Sequence, residues 1–151
     1  MSLVERTETL VRGIWEHADD GAVRRMFTAD AEIRGLEDMD LMGPDEFAAF
    51  HRMILRQFTD IRISDVTGIE QDDRVALTFR VEAMDALRHR PVAVSAYLMV
   101  RYRGDRICEG RNLLDLISLF EQAGRLPQRT RDMCLLGHEL GLTSVSGRRA
   151  H

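Results

Sequence analysis

The sequence predicts an α+β domain in which helices come first and a mostly antiparallel sheet follows. Residues 4–18 and 43–58 carry apolar side chains at helical spacing. Between residues 61 and 116, apolar and polar side chains alternate in segments that short turns separate. Strands that are joined by short turns pair antiparallel, so these segments predict the sheet.

The length and composition are those of one globular domain. The chain has 151 residues, of which 44% are hydrophobic and 30% are charged, so neither disorder nor a membrane protein is indicated. No apolar run is long enough to cross a bilayer and the first ten residues do not resemble a signal peptide, so we expect a cytoplasmic protein without a membrane partner. The net charge of −4 is spread along the chain, which argues against a nucleic-acid partner.

Three residue types limit the chemistry. All 21 basic residues are arginine, which excludes a Schiff-base lysine and a lysine-bound pyridoxal cofactor. Cys108 and Cys134 have no partner motif and are interpreted as small buried apolar residues. The five histidines are scattered, and no pair has the spacing of a zinc-binding helix. We therefore expect no cofactor and no metal site.

The first predicted helix, residues 4–18, carries Trp15 at the edge of its apolar stripe. Trp15 either packs in the core or stacks on a ligand, and packing is the commoner use of a large aromatic side chain. A second, shorter helix is predicted at residues 22–27, followed by short strands at residues 31–36 and 40–43.

The clearest helix, residues 43–58, begins with Pro44 in its first turn and buries a stripe that includes Phe50 and Ile54. His51 projects into the middle of that stripe. It could face a cavity and share a proton with an acid, or it could be a packed, neutral histidine with one backbone partner. The sequence leaves both interpretations open.

One carboxylate is placed unusually in the last predicted strand, residues 107–116. Alternation there puts Glu109, Arg111 and Asp115 on one face, with Leu113 between them. A carboxylate among leucines needs a partner or a function, because burying it unpaired is costly. Asp115 is therefore the leading candidate for a functional acid.

A short helix follows Asp115, and together with Ser118, Gln122 and Gly124 this acid forms a pattern that resembles the end of the SnoaL-like polyketide cyclase family. That family belongs to the nuclear transport factor 2-like superfamily. Two further stretches share the resemblance, namely Phe58-Thr59-Asp60-Ile61 at a helix end and Arg90-Pro91-Val92 at a strand start. The resemblance spans residues 5–127, so we expect residues 1–127 to form the SnoaL-like domain and residues 128–151 a C-terminal extension.

The resemblance implies a cone-shaped, strongly curved sheet wrapped by the N-terminal helices. It also implies a cavity on the concave face that takes a small hydrophobic molecule, and a homodimer formed through the convex face. The chain departs from the family pattern between Met84 and Pro91, where the family usually has a longer glycine-rich insertion with a histidine. It also has Leu113 where a polar residue is usual, so the family's reaction does not transfer directly.

The leading functional hypothesis is a cofactor-free acid/base enzyme, of cyclase, isomerase or dehydratase type, that acts on a small hydrophobic carbonyl compound. Asp115 would move the proton, desolvated by an apolar wall that includes Leu116. A donor beside it would stabilise the developing enolate oxygen. The candidate donors are Asn112, Arg111 and His51. The candidate substrate-binding residues are Trp15, Phe50, Ile54, Phe79, Arg111 and Leu113.

The rival hypothesis is a dimeric module of the same fold that binds a small ligand or serves in assembly without catalysis. In that case Asp115 is structural, because aspartate at a junction between strand and helix often caps the helix. It could also pair with Arg111.

The extension is predicted to form a helix at residues 130–140 with Gly141 as its stop. Its buried side chains would be Met133, Leu136 and Leu140. Such a helix would cover either the cavity mouth or a partner subunit. Residues 144–151 are expected to be frayed.

Overall fold

The computed structural model describes residues 1–36 and 41–141, which form five helices and five strands. The helices are α1 (Leu3–Trp15), α2 (Asp20–Arg25), α3 (Pro44–Gln57), α4 (Leu116–Gln122) and α5 (Thr130–Leu135). The strands are β1 (Phe27–Arg34), β2 (Phe58–Gln71), β3 (Arg74–Asp85), β4 (Pro91–Arg103) and β5 (Arg106–Leu114). This is the predicted α+β fold.

The strands form one curved, open sheet in the order β1-β5-β4-β3-β2. β1 and β5 run parallel, and the other three neighbouring pairs are antiparallel. Helix α1 packs on β2 and β3, whereas α3 packs on β1 and β2. One hydrophobic cluster joins both helices to the sheet. The prediction of a mostly antiparallel sheet wrapped by the N-terminal helices is confirmed.

A capping interaction and a glycine explain where helix α1 begins and how it packs on the sheet. The Ser2 hydroxyl accepts from the Glu5 backbone N–H, and the Glu5 carboxylate accepts from the Ser2 N–H, which is the reciprocal cap that starts α1. Helix α1 then crosses β2 at Gly68. A Cβ on this glycine would lie 2.6 Å from Val4 and 2.5 Å from Leu77, so the close approach requires glycine.

Several predicted boundaries shift in the first half of the chain. Helix α2 begins two residues early, because Asp19 accepts from the Ala22 N–H and caps it. Strand β1 likewise starts at Phe27 rather than at residue 31. Of the predicted strand at residues 40–43, residue 40 lies outside the described part. Met42 pairs with Ile33 in an isolated bridge rather than in a strand.

The C-terminal helix is shorter than predicted. It ends at Leu135, because Gly137 takes a φ of +95° and directs its N–H to the Cys134 carbonyl, so Gly137 and not Gly141 is the stop. The predicted buried face is also wrong. Leu136 is 70% exposed and Leu140 is exposed too, whereas Met133 is half-buried. Residues 144–151 lie outside the described part. Within residues 1–36 and 41–141, no helix is long and apolar enough to cross a membrane.

Candidate functional site

A cavity of about 400 Å³ lies between the concave face of the sheet and helices α1, α3 and α4. Its wall is almost entirely apolar. Six of the nine predicted site residues line it, namely Trp15, Phe50, Ile54, Phe79, Asn112 and Leu113. The predicted wall residue Leu116 also lines it, whereas Asp115, His51 and Arg111 do not. The polar side chains of the lining are Thr7, Gln57, Tyr97, Asn112 and Arg125.

Whether a predicted residue of β5 points into the cavity depends on the face of the strand to which it belongs. Burial alternates along this strand, so Asn112 and Leu114 are half-buried, whereas Arg111 and Leu113 are exposed. Asn112 pairs with Leu98 and Leu113 with the exposed Tyr97 of β4. Leu113 therefore borders the cavity although its side chain, 68% exposed, belongs to the outer face. Arg111 belongs to that outer face as well.

Asp115 lies at the rim of the cavity and caps α4. Its Oδ1 accepts from the Ser118 backbone N–H at 3.1 Å, and its Oδ2 lies 3.4 Å from Nη1 of Arg131. The side chain is 42% exposed. The predicted burial of Asp115 by an apolar wall is therefore wrong. The charged partner of Asp115 is Arg131 rather than Arg111. Its chain neighbours Leu114 and Leu116 nevertheless both line the cavity.

His51 is fully buried behind the cavity wall. Its Nε2 lies 2.6 Å from the Ile14 carbonyl oxygen, and its Nδ1 has no hydrogen-bond partner in the described part of the chain. The ring packs at 4.8 Å, centroid to centroid, on Trp15. Trp15 thus packs on a buried residue, as one of its two interpretations predicts, and it also lines the cavity.

A charged group that the sequence does not predict lies at the α4 end of the cavity. The Arg125 guanidinium donates to Oδ1 of Asp85 at 2.7 Å and to Oε1 of Gln57 at 2.5 Å. It also lies over the Phe58 ring, 4.9 Å from its centroid. Asp85 ends β3 and Arg125 follows α4, so no local pattern in the sequence joins them.

Asp85 is held ionised by this arrangement. The side chain is 1% exposed, and both of its oxygens accept hydrogen bonds. The backbone N–H of Arg88 and the guanidinium of Arg125 lower the pKa of Asp85 and outweigh the opposite effect of burial. Asp85 and Arg125 therefore form an ion pair at this end of the cavity, in which both groups are charged.

The described residues contain no group of three or more His, Cys, Asp or Glu side chains that could hold a metal ion. Both cysteines are free thiols, and Cys108 is buried as predicted. The prediction that Cys134 is buried is wrong, because this residue is exposed.

The family model of the SnoaL-like polyketide cyclases matches residues 5–123. The chain belongs to this family. The resemblance of the last strand and helix is thereby confirmed, and the family fold is that of the nuclear transport factor 2-like proteins. A search of curated proteins found no match.

Solved structures share this fold at low sequence identity. A protein of ketosteroid isomerase-like fold from Catenulispora acidiphila, solved with trimethylamine, is 18% identical with a TM-score of 0.68 over 77% of this chain and 90% of its own. AclR from Streptomyces galilaeus, a candidate hydroxylase, is 17% identical with a TM-score of 0.71 over 83% and 100%. IdmH from Streptomyces antibioticus, a candidate polyketide cyclase, is 18% identical with a TM-score of 0.67 over 78% and 97%.

Proposed function

We propose that this member of the family is a cofactor-free enzyme of cyclase or isomerase type that acts on a small hydrophobic carbonyl compound. The observation that carries the proposal is the apolar cavity of about 400 Å³ on the concave face of the sheet. A cavity of this size and character suits a small, largely apolar molecule with a few polar groups. Family membership supports the reaction type.

The catalytic pair in this proposal is Asp115 with Asn112. Asp115 does not itself line the cavity but lies between two leucines that do, so the proposal requires the substrate to bring its acidic C–H bond to the carboxylate at that edge. Asp115 takes that proton and returns it at the new position, a role worth about 10²- to 10⁴-fold in rate. Asn112 lines the cavity and donates to the developing enolate oxygen. Within residues 1–36 and 41–141, the one hydrogen bond of its amide is a long 3.4 Å contact with the Arg34 carbonyl.

The apolar contacts of the substrate come from Trp15, Phe50, Ile54 and Phe79. These four side chains line the cavity from α1, α3 and β3. His51 has a supporting role, because its ring packs on Trp15 and fixes that wall.

The second candidate is a non-catalytic module that binds a small molecule. The observation that favours it is the bond from the Ser118 N–H to Asp115, since a carboxylate that caps a helix has a structural reason to be present. Both candidates use the cavity, and they differ in whether bound carbonyl compounds lose a proton.

The test is deuterium uptake next to a carbonyl. The protein is incubated in D₂O with 2-tetralone or 1-phenylbutane-1,3-dione, and exchange is followed by proton NMR. The enzyme hypothesis expects exchange above the buffer rate that Asp115→Asn abolishes. Asparagine caps helices about as well as aspartate. A stable Asp115→Asn variant therefore loses the base and keeps the cap.

Two controls complete the experiment. Arg131→Gln removes the ion pair of Asp115 and leaves the carboxylate in place, so exchange should persist. Asp115→Ala removes base and cap together, and its unfolding temperature shows what the cap is worth. Exchange by Asp115→Asn at the wild-type rate would refute the role of Asp115. Binding of both compounds without exchange would favour the module.

A further inference from the structure

Two arginine side chains meet where the chain leaves α4, and a third arginine follows directly in the chain. Arg88 and Arg90 come from the turn between β3 and β4, and Arg125 follows Gly124. The Nη1 atoms of Arg88 and Arg90 lie 2.5 and 2.7 Å from the position that a Cβ on Gly124 would occupy. Arg88 also donates to the Gly124 carbonyl. We call these three residues the arginine cluster.

The arginine cluster has more positive charge than its neighbours balance. Its one buried carboxylate, Asp85, accepts from the Arg125 guanidinium and from the Arg88 backbone N–H. In the described part of the chain, no carboxylate lies within 4.0 Å of the Arg88 or Arg90 guanidinium. Like charges repel, so a bound anion would stabilise the Arg88 and Arg90 guanidinium groups where they meet at Gly124.

The cluster also reaches the cavity. Arg125 is the only charged residue in the described cavity lining. Its plane is fixed by Asp85 and by the ring of Phe58, and the ring of Phe120 lies 6.0 Å away. A guanidinium has five N–H donors, and only two of them are used by Asp85 and Gln57. The other donors have no acceptor among the described residues, so they can bind an oxygen at this end of the cavity.

We infer that the molecule bound in the cavity carries a carboxylate, and that the arginine cluster binds this group while the apolar wall binds the rest. The inference rests on the proposed function of the cavity as a small-molecule site, and it specifies the ligand class. Arg125 supplies the direct contact, because a guanidinium matches the two oxygens of a carboxylate. The charge of Arg88 acts on Asp85, the partner of Arg125, and Arg90 lies beside Arg88 at Gly124. Asp85 positions Arg125.

Two competitors of one shape test the inference. N-phenyl-1-naphthylamine, a neutral dye that fluoresces in apolar sites, reports on the cavity. 2-Naphthoate and 2-naphthamide are then titrated against it at neutral pH. They differ chiefly in charge. We expect naphthoate to compete at least about ten-fold more tightly than naphthamide. The ratio of the two inhibition constants should fall in high salt, because the charges are partly exposed.

Three variants connect that ratio to the cluster. Arg88→Gln with Arg90→Gln removes two exposed charges and should lower the ratio about three- to five-fold. Asp85→Asn with Arg125→Gln removes both partners of the buried pair, so neither is left unpaired, and should bring the ratio to about one. Arg24→Gln with Arg106→Gln removes the same net charge from exposed positions outside the cluster and should leave the ratio unchanged.

The outcomes separate the inference from the proposed function. If the dye binds and naphthoate competes no better than naphthamide, the inference is wrong and the cavity remains a small-molecule site. A wild-type preference that all three variants keep would also overturn it. If the dye and both naphthalenes fail to bind, the proposed function fails and takes the inference with it.

Discussion

Replacing Asp85 by asparagine should destabilise the fold by about 2 to 3 kcal/mol at neutral pH. Asp85 accepts two hydrogen bonds of 2.7 Å, from the Arg88 N–H and from the Arg125 guanidinium. Asparagine can accept only one of them and turns an N–H group toward the other donor. The expected loss of folding free energy is small for a broken buried ion pair. The reason is that Arg125 is 29% exposed, so water can solvate its guanidinium.

The pH dependence has a definite sign. The pKa of Asp85 is held below the usual aspartate value of 3.8, chiefly by the Arg88 N–H and then by Arg125. A lowered pKa stabilises the fold at pH values above 3.8, and this contribution is lost as the pH falls toward the folded-state pKa. The difference in free energy of unfolding between wild type and Asp85→Asn should therefore be constant from pH 7.5 to about 4.5 and shrink below that.

Urea unfolding followed by circular dichroism measures this difference. Each protein is titrated at several pH values, down to the lowest at which wild type still folds. Asp105→Asn is the matched control, because Asp105 is exposed and lies 3.9 Å from Arg6 across the surface. Equal stability of Asp85→Asn and wild type at pH 7.5, or a difference that grows in acid, would refute the assignment of a buried, ionised Asp85.

Two further predictions concern the rim of the cavity and the outer face of the sheet. Gly35→Ala should lower stability by at least about 2 kcal/mol in urea, since Gly35 has a φ of +91° and a Cβ would overlap the Asn112 carbonyl oxygen. Gly104→Ala, with positive φ but open space, should cost less, and equal losses would contradict the overlap argument. The exposed apolar surface of Tyr97 and Leu113 predicts a homodimer through the convex face. Sedimentation should show a dimer for wild type and a monomer for Leu113→Arg. A monomeric wild type would contradict the prediction.

The fold was predictable because its signals are local. The stripe of α3 and the alternation of β3 and β4 are periodic over ten or more residues, so each element could be recognised without its neighbours. The boundaries were less predictable where a single hydrogen bond decides them. Examples are Asp19, which starts α2, and Gly137, which ends α5.

The orientation of β5 could not be predicted from its own residues. On this strand the apolar Leu113 belongs to the outer face, whereas the buried Gly110 and the half-buried Asn112 belong to the inner one. A Cβ on Gly110 would meet the Ile33 side chain of β1 at 3.9 Å, an ordinary van der Waals distance, so packing does not require glycine there. Hydrophobicity alone therefore does not predict which face of β5 points inward. The Asp85–Arg125 pair was missed for a similar reason, because 40 residues separate its members.

The C-terminal extension and Asp115 should be considered together. Arg131 of α5 contacts Asp115, and its backbone N–H donates to the Glu121 carboxylate of α4. The extension therefore holds the acid at the cavity rim from the side that faces solvent. A base that takes a proton from a bound substrate must exchange this 3.4 Å contact for one to the substrate, which is a small change because the side chain is already 42% exposed. If the proposed chemistry is correct, weakening the Arg131 contact should therefore leave exchange intact while removing the carboxylate abolishes it.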